Sequence, residues 1–201
     1  MIAPLLESQF KALLANLGKA LKPVGFKKSG AKFSRWDEGI LRVVQVQRDK
    51  WNDESNLKFC VNFGLGSMVL MNAQPFGLAK SPGEADCQIR GRLFAPQWWS
   101  LRPETTEEEL QAAVNVIVSK LHSEAFYPYT SIIDEATLCE YWLNRDQLSF
   151  AEERGLLILL KSMEQRELML LRAAAFWQSN AKTKEQRVFF ESLGIWEALQ
   201  N

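Results

Sequence analysis

The chain reads as an α+β protein: a mainly antiparallel sheet of about four to five strands with helices packed on one face, followed by an all-helical C-terminal extension. Three observations predict this. Between residues 32 and 93, apolar side chains alternate with Gln, Asn, Lys and Arg, as they do in a sheet with one buried and one wet face. The first three strand-like segments lie close together in sequence, which favours an antiparallel meander. Beyond about residue 130 the alternation gives way to helical spacing alone.

A helix is predicted over residues 4–22, where Leu6, Phe10, Leu13, Leu14, Leu17 and Leu21 recur at three- and four-residue intervals. Pro23 ends it, because proline cannot donate to the helical ladder, and Gly25 offers an exit turn. Strands follow over residues 32–36 and 40–48, joined through Asp37-Glu38-Gly39, with the glycine where a positive φ is needed. The segment 57–65 places Leu57, Phe59, Val61, Phe63 and Leu65 on one face and Lys58, Cys60 and Asn62 on the other. The segment 87–93 repeats the pattern, with Cys87, Ile89, Gly91 and Leu93 opposite Gln88, Arg90 and Arg92. Residues 66–85, rich in glycine and proline, read as a long excursion over the surface.

Thr106-Glu-Glu-Glu109 fits a capping box and opens a helix lined by Leu110, Val114, Ile117 and Leu121. An aromatic loop, Phe126-Tyr-Pro-Tyr, comes next, and then a short helix over 135–143 carrying Leu138 and Trp142. Ser149 and Glu152 start a strongly apolar stretch to about residue 178, either one long helix or two with a break near Glu164. Thr183 and Gln186 cap a last helix ending near Leu193, and Gly194 precedes a turn through Trp196 and Leu199. The division expected is an α+β domain over 1–125 and a helical extension over 130–201 packed on it.

The 201 residues are 47% hydrophobic and 24% charged, enough for a core without disulfides or a structural metal. Lys plus Arg and Asp plus Glu number 24 each, so no global field draws in nucleic acid or an acidic membrane. Cys60, Cys87 and Cys139 have no CxxC spacing and fit free thiols in a reducing compartment. The N-terminus lacks the order of a signal peptide, and the apolar run 155–160 is too short to span a bilayer. A cytoplasmic protein is the expectation.

The motifs Lys22-Pro-Val-Gly-Phe-Lys-Lys, Val44-Gln-Val-Gln, Lys50-Trp-Asn, Phe59-Cys-Val-Asn-Phe-Gly64, Cys87-Gln-Ile-Arg-Gly-Arg92 and Trp98-Trp99 stand in this order. Together with Phe33, the series resembles the bacterial domain-of-unknown-function family 4304, over about residues 5–125. The resemblance implies a shared fold and no particular activity, and it leaves the helical remainder outside.

Arg90 and Arg92, two apart on one strand, emerge with Gln88 on the same face, to which neighbouring strands add Gln45, Gln47, Lys58 and Asn62. Guanidinium forks match carboxylate and phosphate geometry, so this face suits an acidic peptide, a phosphate or a partner's acidic loop. The plainer alternative is a solvated face whose arginines pair with local acids. Trp51, just past a strand end, either stacks on a ligand or plugs the core. Of the adjacent Trp98 and Trp99, one ring is expected inside and one outside.

Catalytic patterns are sparse. The single histidine, His122, ends a helix without a partner at ligand spacing, and no GxSxG elbow occurs. Gly64-Leu-Gly66 lacks the rest of a phosphate loop, and Asp49, Asp53 and Glu54 read as a polar turn. The central strands carry Gln, Asn, Lys and Arg rather than the carboxylates of a metal-dependent nuclease. No cofactor is called for. In the extension Leu156, Leu157, Leu159, Leu160, Met163, Leu168, Leu170, Leu171, Phe176 and Trp177 exceed a single stripe, so it packs on several sides or forms a homodimer interface.

The preferred reading is a non-enzymatic interaction module that meets an unidentified protein or a small acidic ligand through Arg90, Arg92, Gln88, Gln45, Gln47 and Asn62, with Trp51 nearby. An inhibitor or immunity-type partner is one setting for it. The alternative is an enzyme of unrecognised type using residues 49–54 with Arg90 or Arg92. Nucleic-acid binding comes third, since no basic stripe stands out.

Overall fold

A computed structural model of the protein describes residues 3–74, 77–93, 98–123, 129–179 and 182–200. Helix α1 (Pro4–Leu21) buries the predicted stripe, with Leu6, Leu13 and Leu17 inaccessible to solvent. Pro23 sits in a 3-10 turn over Lys22–Val24, and Gly25 closes it at φ 88°. That left-handed conformation is where glycine avoids the steric cost of a Cβ.

Among the described residues six antiparallel strands follow: β1 (Lys27–Ser29), β2 (Lys32–Asp37), β3 (Ile40–Arg48), β4 (Leu57–Ser67), β5 (Ile89–Arg92) and β6 (Trp99–Leu101). Their order is β1-β2-β3-β4-β5, with β6 paired to the start of β4. The β2–β3 turn has positive φ at both Glu38 and Gly39, the geometry whose twist matches a two-residue hairpin. Strands β1 and β6 are absent from the reading of the sequence. Each is three residues long, too short to show alternation.

The inner face carries Phe33, Val44, Val46, Phe59, Val61 and Leu65, all nearly inaccessible. It packs on α1 and on α3 (Glu107–Leu121), and Phe10 meets Phe59 edge to face at 5.8 Å. Each such buried side chain contributes about 1.5–3 kcal/mol of hydrophobic stabilisation.

The opposite face is not the uniformly wet surface the alternation suggested. Residues 66–85 do not simply run over the surface: Ser67 caps a short helix, α2 (Met68–Asn72), and a 3-10 turn covers Glu84–Asp86. Met71 and Cys87, at the two ends of this excursion, close over Leu41 and Val43 to make a second, smaller core. Cys87 thus lies before β5 and packs on the Arg90 side of the sheet, not opposite it as expected from strict alternation. Gly64 makes this possible, because a Cβ there would lie 2.6 Å from Cys87 Sγ.

The C-terminal region forms α4 (Glu135–Leu143), α5 (Phe150–Ser162), α6 (Arg166–Ser179) and α7 (Lys184–Leu193). Capping boxes open α3 at Thr106, α4 at Asp134, α5 at Ser149 and α7 at Thr183. The apolar stretch after Ser149 is two helices, broken where Glu164 adopts φ 59°. An Arg172–Glu153 ion pair of 2.5 Å ties α6 back onto α5. The Trp142 ring of α4 lies 3.0 Å from where a Cβ on Gly155 of α5 would stand. One apolar cluster runs from Leu6 through Phe59 and Trp142 to Ile195.

Two polar ties fasten these helices and the preceding loop to the sheet. Glu135 accepts from Ser67 Oγ at 2.5 Å and from the Val69 N–H at 2.9 Å. Arg42, only 4% exposed, donates to the carbonyls of Tyr129 and Ile132 and to Asp37 at 3.1 Å. The 126–128 part of the predicted aromatic loop lies outside the described residues. No described helix is long and apolar enough to cross a membrane.

Candidate functional site

The β4–β5 register places Arg92 opposite Asn62 and Arg90 opposite Gly64, and β3 brings Gln45 opposite Asn62. Arg90, Arg92, Asn62, Gln45 and Gln47 therefore share one side of the sheet, as the sequence suggested. Among the described residues, no strand pairs with the outer edge of β5.

Three of these side chains form a relay. Asn62 Nδ2 donates to Gln47 Oε1 at 2.8 Å, and Arg92 Nε donates to Asn62 Oδ1 at 3.1 Å. The other side of the Arg92 guanidinium lies 5.0 Å from the centre of the Trp98 ring, which is 40% exposed. Trp99 turns inward and stacks on Phe59, with centroids 6.2 Å apart. The tandem tryptophans thus divide the work: one lines the core and one supports the arginine. Cys60 lies beside Asn62, Sγ to Oδ1 3.7 Å, and burial raises its thiol pKa.

Arg90 is held differently. It is exposed, and its side chain makes no hydrogen bond or ion pair with any described residue. It lines a cavity of about 410 Å³ together with Asp86, Gln88, Trp142, Ser149 and Glu152. The N-terminus of α5 therefore flanks the β5 end of the polar face without covering Arg90. Glu152, one of the flanking acids, is already engaged by Arg145 and by the Ser149 N–H. Burial raises its carboxyl pKa, but hydrogen bonds from Ser149 and Arg145 outweigh this and leave it lowered.

Gln88 and Gln45 play other parts than those expected. Gln88, which lies just before β5 rather than within it, accepts the Ser67 N–H through Oε1 at 2.8 Å and so ties the start of α2 to the entry of β5. Gln45 lines a shallow groove with Lys32, Gly83, Glu84 and Asp86. Lys32 Nζ there donates to the carbonyls of Ser81 and Pro82, each at 2.8 Å, and pins the excursion across the sheet.

Trp51 is not brought to the arginines. It is 78% exposed at the β3–β4 turn, with Lys50 Nζ 4.9 Å from its ring centre. The acids around it serve the turn: Asp49 Oδ1 accepts from the Trp51 N–H, and Asp53 Oδ1 accepts from the N–H groups of Ser55 and Asn56. The Ser55 hydrogen bonds hold the Asp53 carboxyl below its ordinary range. Asp49 bonds to Lys58, and Lys58 to Asn62 is four residue steps along β4, roughly 13 Å. Arg90 lies about two steps further on, so the acidic turn and Arg90 do not converge on one substrate.

Sequence reasoning missed Asp86, Trp142 and Glu152 as neighbours of Arg90. Glu152 was legible only as the end of a capping box, since nothing local ties the start of α5 to β5. Among the described residues, no three His, Cys, Asp or Glu side chains gather as metal ligands. His122 caps α3, with Nδ1 2.8 Å from the Val118 carbonyl.

The family model described as "Domain of unknown function (DUF4304)" matches residues 17–131, from the last five residues of α1 through the sheet and α3. No curated protein and no solved structure gives a match. The matched span holds Arg90, Arg92 and the whole relay, while α4–α7 fall outside it.

Proposed function

The chain belongs to the DUF4304 family, and from that membership and the geometry above we propose that it is a non-catalytic binding module whose β5 face engages an acidic group on a protein or small ligand. The observation that supports this reading is the contrast between the two arginines. Arg92 is pre-oriented by Asn62 and Trp98, while Arg90, two residues away on the same side, has no carboxylate partner among the described residues. A pre-oriented guanidinium loses little freedom on binding, and an unpaired one beside it supplies the second charge-assisted contact. The nearby Asp86 and Glu152 restrict the partner further. A broad polyanion would be repelled from that side, whereas a single carboxylate or a short acidic segment can sit between the arginines. An inhibitor or immunity-type role in the cytoplasm is one setting in which such a module would act.

The test is a panel of immobilised short peptides in which Glu and Asp are exchanged pairwise for Gln and Asn. Retention of acidic members by the native protein, weakened about tenfold or more in Arg90→Ala/Arg92→Ala, is the expected result. Equal retention of acidic and amidated members, or a set of pull-down partners unchanged by the double substitution, overturns the reading.

A further inference from the structure

We propose that the groove between α5 and α7 is a docking site for an acidic amphipathic helix of a partner protein, independent of the β5 face. The groove has a volume of about 760 Å³. Its floor is apolar: Ile158 is half-buried, Phe189 and Leu193 are each 6% exposed, and Val188 stands 53% exposed within it. Around this floor stand Arg154, Lys161 and Lys184, against a single acid, Glu185. None of the three cations has a carboxylate partner among the described residues. Arg154 lies over the Phe189 ring at 4.3 Å, and Lys161 Nζ donates to the Ser192 carbonyl at 2.9 Å. In a chain of zero formal net charge, this is a local excess of positive charge around an apolar strip.

The dimensions favour a helix as occupant. Arg154, Ile158 and Lys161 lie at i, i+4 and i+7 on α5, a span of roughly 10 Å at 1.5 Å per residue. The facing wall, from Lys184 to Leu193, is about 13 Å long by the same rise. Three apolar anchors of a bound helix, at i, i+4 and i+7, cover the same length as the α5 wall. Carboxylates flanking those anchors would reach the three cations. Lys184 adds a second line of support. It lies in the first turn of α7, where the helix dipole disfavours a positive charge, so its place there does nothing for the helix itself.

The probe is a synthetic helical peptide of about sixteen residues, long enough to hold helical turns, with leucines at i, i+4 and i+7 and glutamates beside them. Its controls carry lysine for glutamate or serine for leucine, and binding is read by fluorescence anisotropy. The expected result is saturable binding of the acidic peptide alone, weakened by salt and at least tenfold weaker in Lys184→Glu and in Val188→Asp. Both positions are exposed, and a glutamate in the first turn suits the α7 dipole, so circular dichroism and melting should match the native protein. Arg90→Ala/Arg92→Ala should bind the peptide as the native protein does, so failure of the β5-face proposal would leave this result untouched. Equal binding of the lysine peptide, no binding of any peptide, or insensitivity to both substitutions overturns the inference. So does concentration-dependent self-association abolished by Val188→Asp, which would make the occupant a second copy of the chain.

Discussion

Asn62 and Arg92 face each other across β4 and β5 and share a 3.1 Å hydrogen bond, and the same amide reaches back to Gln47 at 2.8 Å. Asn62 is the only member of this relay that is nearly buried, at 8% exposure. Its amide therefore has little water to fall back on, and it orients the arginine rather than merely touching it. Replacing it by alanine should cost about 1–2 kcal/mol of stability, the usual range for a buried hydrogen-bonded polar group. Urea denaturation measures this. The same variant should weaken acidic-peptide retention less than Arg92→Ala does, because the charge remains and only its orientation is lost.

A second consequence follows from the packing of Cys87 on Gly64. A Cβ at position 64 would stand 2.9 Å from Cys87 Cβ and 3.1 Å from the Glu84 Cα, so the backbone of the 3-10 turn must move. Gly64→Ala should destabilise the protein by about 1–3 kcal/mol, the cost of overpacking. Burial, with smaller contributions from Glu84 and Asp86, pushes the Cys87 thiol pKa up to about 12, so it should resist thiol reagents in the native protein. In Gly64→Ala the displaced turn should expose it, and a disulfide reagent should then titrate Cys87 much faster. Unchanged reactivity would mean that the small second core tolerates the methyl group.

What was legible in the sequence divides along the range of the interactions concerned. Helix α1, strands β2–β4 and the capping boxes of Thr106, Ser149 and Thr183 are specified by residues within a few positions of one another and are legible in the sequence, although β4 runs two residues past its expected end. The arginine pair and its companions were also placed on one side, because strand alternation needs only local sequence. The rest depends on contacts distant in sequence. Strand β1 is Lys27-Lys28-Ser29, all exposed, and exists only because β2 pairs with it. The partial burial of the polar face was signalled by the unbroken apolar pairs Ile40-Leu41 and Val43-Val44 at the start of β3, since a run buried on both sides loses its alternation. What buries Leu41 and Val43, namely Met71 and Cys87, lies about thirty to forty-five residues away and leaves no local trace. The break at Glu164 was ambiguous for a related reason. No glycine or proline marks it, and α6 folds back because α5 has apolar residues on several sides to bury.

Acid should destabilise the protein through a small set of hydrogen-bonded carboxylates. Arg48 hydrogen bonds hold Glu7 below its ordinary 4.5, and the Thr137 backbone and hydroxyl hold Asp134 below 3.8. Glu152 is also lowered, its hydrogen bonds outweighing the opposing effect of burial. A carboxylate whose pKa is depressed on folding contributes stability that is full above the unfolded value. That stability is lost as pH falls through the folded one. Stability should therefore be flat from neutral pH to about 5 and fall below about 4. Asp134→Asn keeps a good helix cap without the charge, so with Glu152→Gln it should make the acid limb shallower. Urea midpoints measured between neutral and acid pH test this, and an unchanged slope would assign the acid sensitivity to other groups.

Among the described residues, Arg42 should be a highly sensitive polar position. Its guanidinium satisfies the carbonyls of Tyr129 and Ile132 at the start of the helical region, shares Asp37 with Arg35, and lies 5.3 Å from the Tyr129 ring centre. Truncation to alanine removes donors from two carbonyls and leaves a void between β3 and the following loop. Both costs fall on buried atoms, since Arg42 is 4% exposed. The expected loss for Arg42→Ala is about 3–5 kcal/mol, the range for breaking a buried charged network. Arg42→Lys keeps the charge but cannot span both carbonyls and the carboxylate with one ammonium, so it should fall between the two. Asp37→Asn should cost less than Arg42→Ala, because Asp37 is partly exposed and the two carbonyl contacts survive. Chemical denaturation of the three variants supplies the ranking. If Arg42→Lys matched the native protein, the fork geometry would be irrelevant and Arg42 would act through charge alone.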